Sequence, residues 1–152
     1  MRFLKHMVSN KYVIFAIRLI LGFVFIYASI DKIAQPGAFA ENIYNYRMLP
    51  HWAINLMALV MPWLELICGV LIITGVFLRG SAFMIGLMLG VFIIAISAAL
   101  VRGLDISCGC FSMEGGHGVA VDLLIRDVLM FAGAAIVLFL GTSALSLRRG
   151  AD

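Results

Sequence analysis

The sequence predicts an all-α fold: an integral membrane protein built as a four-helix antiparallel bundle. Two observations carry this expectation. Hydrophobic residues make up 64% of the 152 residues and charged residues only 12%, with a mean hydropathy of +1.11. Soluble domains run at roughly 45–50% apolar and about 25% charged, so this chain has too few charges to coat a soluble globule. The second observation is that four apolar windows reach the length of about 20 residues that a helix needs to cross hydrocarbon. Short connections join them, which favours an up-down-up-down order. Residues 1–152 are read as one domain.

The first window runs from about Tyr12 to Ala34. Arg2, Lys5 and Lys11 precede it, as in a signal peptide, but the apolar run exceeds an h-region of roughly 7–15 residues and holds Arg18. It is read as a retained helix. Asp31 and Lys32 close it at the interface, where they read as headgroup anchors. The second window, about Ala53 to Leu78, contains Pro62, Glu65 and Cys68. Pro62 is expected to kink the helix one turn from the acid. Trp52, Trp63, Tyr44 and Tyr46 read as interfacial aromatics. The third window, about Ser81 to Val101, carries Gly86-x-x-x-Gly90 with Ala95 and Ala99, a small-residue face suited to close packing. The fourth, about Val121 to Gly141, carries the doublet Arg126-Asp127.

The net charge of +3 and the pI near 9.0 are not a nucleic-acid signal, because the basic residues cluster beside the apolar windows. One end of the bundle carries Arg2, Lys5, Lys11, Arg79, Arg148 and Arg149, and the other Lys32, Arg47 and Arg102. Cytoplasmic loops hold the excess of Lys and Arg. Both termini are therefore expected in the cytoplasm and the protein in the cell (inner) membrane. The Pro36–His51 and Cys108–Cys110 loops are then extracytoplasmic.

That second loop holds the most distinctive chemistry. Cys108-Gly109-Cys110 lies in a polar, glycine-rich stretch between two apolar windows. Disulfides persist in oxidising compartments and rarely in the cytosol. Gly109 allows the tight backbone turn that a bridge between such close neighbours requires. The resulting ring is small, and strained, exposed disulfides are the labile or catalytic ones. Arg102 and His117 are nearby cations that favour a thiolate. Cys108 and Cys110 are thus the candidate redox-exchange residues. A permanent structural disulfide, a pair of inert thiols and a metal site stay open beside this reading. Cys108, Cys110 and His117 offer three ligands, but zinc motifs space cysteines by about two to four residues and a closed site takes four ligands, so no metal is expected. Cys68 reads as a small packing residue.

Glu65 is the sharpest feature inside the membrane. An ionisable group at that depth marks a functional site by default. It can hold a hydrogen bond or take part in proton movement with a quinone, or it can form an interhelical salt bridge. The partners considered are Arg18, Arg126 and Asp127. Glu65, Arg18 and Arg126 form the candidate polar pocket.

Several of these residues form an ordered set. The first window carries Arg18-x-x-x-Gly22-x-x-Phe25, then Ser29 and Lys32. The following loop has Pro36, Phe39 and Asn45-Tyr46-x-x-Leu49-Pro50. The second window has Pro62-x-x-Glu65-Leu66-x-x-Gly69-x-x-Ile72-x-x-Gly75. Cys108-Gly109-Cys110-Phe111 and Arg126-Asp127 follow. In order and spacing the set resembles the DoxX-like superfamily and, within it, the MauE branch of redox-associated membrane proteins, from Tyr12 to about Leu140. Ser112 stands where the family has a glycine.

The resemblance implies a four-helix membrane protein associated with maturation of methylamine dehydrogenase, whose small subunit is rich in disulfides. DoxX-like relatives are linked to thiosulfate:quinone oxidoreduction and thiol redox balance. The plan is also loosely similar to that of quinone-coupled disulfide generators such as vitamin K epoxide reductase. Those enzymes use Cys-x-x-Cys with a separate loop pair, which this chain lacks, so a partner is expected to supply the second dithiol.

The expected function is thiol–disulfide exchange with an extracytoplasmic protein, linked to quinone. The alternative is a non-enzymatic scaffold subunit of a redox complex with a structural Cys108–Cys110 disulfide. A transporter using Glu65 is the weakest reading, for want of a discontinuous-helix pair. The expected surroundings are the lipid bilayer and that protein partner, without nucleic acid. Homo- and hetero-oligomers are both compatible with the sequence.

Overall fold

A computed structural model describes residues 11–103 and 117–144, with the side chains of 11, 117–120 and 142–144 left out. Among the described residues there are five helices and no strand: α1 (Lys11–Ala34), α2 (Pro36–Asn45), α3 (His51–Thr74), α4 (Leu78–Val101) and α5 (His117–Ala144). Four of them are long and apolar enough to cross a membrane, over Tyr12–Ala34, His51–Thr74, Leu78–Val101 and Val121–Gly141. The protein is a multi-pass membrane protein of the all-α class. Ile20, Phe23, Leu59, Ile94, Leu129 and Phe139 are all exposed. An apolar surface of that extent belongs against lipid.

The bundle is two antiparallel pairs. α1 packs most heavily on α3, and α4 on α5, with lighter contacts joining the pairs. Association inside hydrocarbon relies on close packing more than on the hydrophobic effect, because lipid is as apolar as leucine. The closest approach lies at Gly22 of α1 and Gly69 of α3. A Cβ on Gly69 would stand 3.0 Å from the Gly22 carbonyl oxygen and 3.3 Å from the Ile26 nitrogen. Of the small-residue face expected on α4, Ala99 is buried against Tyr46 and Leu123 with Ala95 beside it, while the two glycines make no close approach. A Cβ on Gly86 would meet nothing within 4 Å, and one on Gly90 only the edge of Phe131, at 3.8 Å. One core joins all four spans, with Leu21 and Phe25 from α1, Ile72 from α3, Ile85 from α4 and Val137 from α5. Cys68 is buried in this core as a packing residue.

Two local features depart from the sequence expectation. α3 stops at Thr74 rather than running to Leu78. Gly75 adopts φ +75°, the left-handed cap conformation, and its N–H donates to the Leu71 carbonyl at 2.9 Å. Glycine takes this position without a Cβ penalty. α4 then starts at Leu78. Pro62 is buried inside α3. Finally, the Pro36–His51 loop contains α2, with Pro36 in its first turn, a position where the missing N–H costs nothing. Phe39 and Ile43, one turn apart, bury themselves against Ile54 and Ala58 of α3.

Arg18 ties the opposite end of the α1–α3 pair. Its Nε donates to the Ile72 carbonyl at 2.9 Å and its Nη2 to the Ile73 carbonyl at 3.1 Å. These carbonyls belong to the last turn of α3, where helices leave acceptors unsatisfied and carry a partial negative charge. The guanidinium sits against Gly75, so a Cβ there would collide with it. Arg18→Met is expected to lower stability by about 1.5–3 kcal/mol, the range for hydrogen bonds to a charged group. Thermal unfolding in micelles checks this against Arg79→Met, whose exposed side chain should tolerate the change with little shift.

Candidate functional site: a buried charge cluster

Lys32, Glu65, Arg126 and Asp127 gather inside the bundle, near the middle of the spans. Lys32, near the end of α1, reaches Glu65 of α3. Its Nζ donates to Oε1 at 2.7 Å and to Oε2 at 2.8 Å. Both residues are almost fully buried, each side chain about 4% exposed. The ammonium also lies 4.9 Å from the ring centroid of Phe39 in α2 and 5.2 Å from that of Phe92 in α4. Both distances suit a cation–π contact. The cation is therefore held by one carboxylate and two ring faces, from three different helices. A charge pair removed from water in this way persists only when its geometry repays the desolvation.

A second pair lies beside the first. Arg126 donates from Nε at 3.1 Å and from Nη2 at 2.9 Å to Oδ1 of its neighbour Asp127. Asp127 points inward and is 4% exposed, while the Arg126 side chain keeps 33% of its surface. The two pairs line one cleft with a volume of about 40 Å³, whose remaining walls are apolar and include Val24, Phe25, Ala28, Leu89 and Met130.

Of the expected pocket residues, Glu65 and Arg126 share this cleft and Arg18 does not. Arg18 lies fourteen residues before Lys32 on α1, roughly 21 Å away at 1.5 Å per residue. Glu65 pairs with neither arginine. The residue missed as its partner is Lys32, read as a headgroup anchor but turned inward, while its neighbour Asp31 is exposed. Tyr46 also departs from its interfacial reading: it is buried against Ile96, Ala99 and Leu123. Tyr44, Trp52 and Trp63 are exposed, and Tyr44 stacks on His51 with ring centroids 5.3 Å apart. Cys108 and Cys110 lie outside the described residues. Their segment joins α4 to α5 in the chain. Among the described residues no group of His, Cys, Asp and Glu could hold a metal ion.

Four apolar helices closed around buried ion pairs define the class: a helical multi-pass membrane protein with a polar site inside its spans. Comparison with known proteins gives the family. The family described as "Methylamine utilisation protein MauE" matches residues 10–140. A methylamine utilization protein MauE of Paracoccus denitrificans is 31% identical over 127 residues, covering 82% of this chain and 68% of that protein. A MauE of Paracoccus versutus is 27% identical over 139 residues, covering 89% of this chain and 75% of its own length. One of Methylorubrum extorquens is 34% identical over 85 residues, covering 55% of this chain and 46% of its own. The chain belongs to the MauE family. No solved structure matches it.

Proposed function

We propose that this chain is a membrane accessory protein of methylamine utilisation, and that it serves a partner by thiol–disulfide exchange through Cys108 and Cys110. The match of the MauE family to residues 10–140 carries the first part. The Cys-Gly-Cys motif in the polar connector between α4 and α5 supports the second. The proposed orientation puts that connector outside an inner membrane and both termini in the cytoplasm.

The chemistry is thiolate exchange. One thiolate of a partner dithiol attacks the Cys108–Cys110 bond and forms a mixed disulfide. The partner's second thiolate then resolves it. The partner leaves oxidised and the Cys108–Cys110 pair is left reduced as two thiols. Re-oxidation of the pair passes two electrons and two protons to an acceptor, proposed as a membrane quinone that becomes the quinol. The polar cleft is small for such a ring: its 40 Å³ compares with roughly 300–1,000 Å³ for pockets that enclose a drug-sized ligand. No step is routed through it.

Thiol trapping in intact cells tests the proposal. A membrane-impermeant maleimide is applied before and after reductant, and Cys108 and Cys110 are read by mass shift. A mixed thiol and disulfide population that responds to quinone depletion is the expected result. Cys108→Ser should abolish partner maturation at unchanged protein level. A pair that is wholly oxidised, indifferent to respiration and needed for protein level would instead make Cys108–Cys110 a structural bridge in a scaffold subunit.

A further inference from the structure

We infer that the cleft between the two ion pairs is a hydrated site inside the membrane, in which bound waters join Lys32–Glu65 to Arg126–Asp127. The inference is independent of the thiol chemistry proposed above. It rests on size, chemistry and position.

A polar cavity of roughly 10–15 Å³ or more is large enough to hold a water, and each water needs two to four polar partners. The cleft's volume of about 40 Å³ exceeds that threshold. It is lined by two carboxylates, an ammonium and a guanidinium. An ionised carboxylate offers about four acceptor positions. Glu65 accepts two bonds from Lys32. The bonds that Asp127 accepts from Arg126 both fall on Oδ1. Acceptor capacity is left on each acid, which is what a bound water requires. An apolar cavity of similar size stays dry, but charges inside a membrane face either partners or water.

Position supplies the third reason. α1 and α5 touch deeper in the bundle, where a Cβ on Gly133 would stand 3.3 Å from Ile17 and 3.8 Å from Leu21. Two turns back along α5, Arg126 is only half-buried, and so is Ala28 across the cleft on α1. The cleft lies beside this half-buried seam between α1 and α5, with Arg126 nine residues into α5. Water there gives the buried Glu65 carboxylate a route to solvent that its near-complete burial otherwise denies.

X-ray hydroxyl-radical footprinting of the full chain in lipid nanodiscs tests this, because radicals form from water next to the side chain they modify. Phe25 and Phe92 line the cleft, whereas Phe23 and Phe139 are exposed on the apolar exterior. All four are phenylalanines, so intrinsic reactivity cancels. Phe25 and Phe92 are expected to be modified several-fold faster than Phe23 and Phe139 despite their lower exposure. Ala28→Leu, which takes up cleft space while leaving all four charged residues unsubstituted, should bring them down to the rate of the exterior pair. Equal or slower modification of Phe25 and Phe92 in the unmodified protein overturns the inference. So does rapid modification that survives Ala28→Leu, since the reactive water would then lie elsewhere.

Discussion

Glu65→Ala is expected to destabilise the bundle by about 3–5 kcal/mol, the cost of leaving one member of a buried ion pair without its partner. The stranded charge is the Lys32 ammonium, which Phe39 and Phe92 enclose and which is 4% exposed. The rings supply only a fraction of what the carboxylate does, since a cation–π contact contributes about 0.5–2 kcal/mol. Lys32→Met should cost a similar amount by stranding Glu65. The joint variant Lys32→Met/Glu65→Leu is expected to recover most of the loss, because apolar side chains of similar volume often replace a buried pair at no net cost. Unfolding by SDS titration in mixed micelles measures all three. If the joint variant is no more stable than Glu65→Ala, shape rather than charge governs the site and the ion-pair account is wrong.

This cluster shows how much of the site was legible before the structure. Glu65 announced itself by depth alone. Its partner could have been found from periodicity. The buried positions of α1 include Ile14, Arg18, Leu21, Phe25, Ser29 and Lys32, and those of α3 include Ile54, Ala58, Pro62, Glu65, Gly69 and Ile72. Each set steps by three or four residues, the signature of one helix face. Lys32 falls on its stripe, so its inward direction was written in the spacing. It was overlooked because a lysine two residues from a helix end ordinarily snorkels. The same test separates Arg126 from Asp127. Leu123, Asp127, Ala134 and Val137 share the buried face of α5, which selects the acid as the inward member of the doublet.

Other features lay beyond such counting. α2 reads as loop because its helical signal is only Phe39 and Ile43, and what makes it a helix is the surface offered by Ile54 and Ala58. Tertiary packing decides so short an element, since isolated helices under about 12–15 residues are marginal. The bound of α3 failed for another reason. Val76, Phe77 and Leu78 continue the apolar run, and only the left-handed geometry at Gly75 stops the helix. Hydropathy cannot register a backbone angle. The glycines misled for the same reason. Gly86 and Gly90 match the small-x-x-x-small pattern, yet both are only half-buried and no backbone closes on them. The pattern names residues that permit a close approach, and only the facing helix determines where one occurs.

That facing arrangement makes the α1–α3 crossing the second sensitive point. Gly69→Leu is expected to prevent the two helices from docking, with loss of folded protein in micelles as the readout. The obstruction is largely backbone. A Cβ at Gly69 stands 2.9 Å from Ile26 Cγ1, 3.0 Å from the Gly22 carbonyl oxygen and 3.3 Å from the Ile26 nitrogen, so a rotamer change at Ile26 relieves only the first of these. Even Gly69→Ala should cost about 1–3 kcal/mol, the range for overpacking a close-packed interior. Gly86→Ala, where a Cβ meets open space, should cost nothing measurable. The crossing and the ion pair also belong to one interface, since Gly69 lies one turn beyond Glu65 on α3. Forcing the helices apart at Gly69 must lengthen the Lys32–Glu65 contact, which at 2.7 Å has no slack. The costs of Gly69→Ala and Lys32→Met/Glu65→Leu should then fall short of additive, because the joint variant has already removed the contact that the alanine strains. Strict additivity would mean that the helices absorb the Cβ locally, and that the glycine crossing and the charge cluster are held in place by separate parts of the bundle.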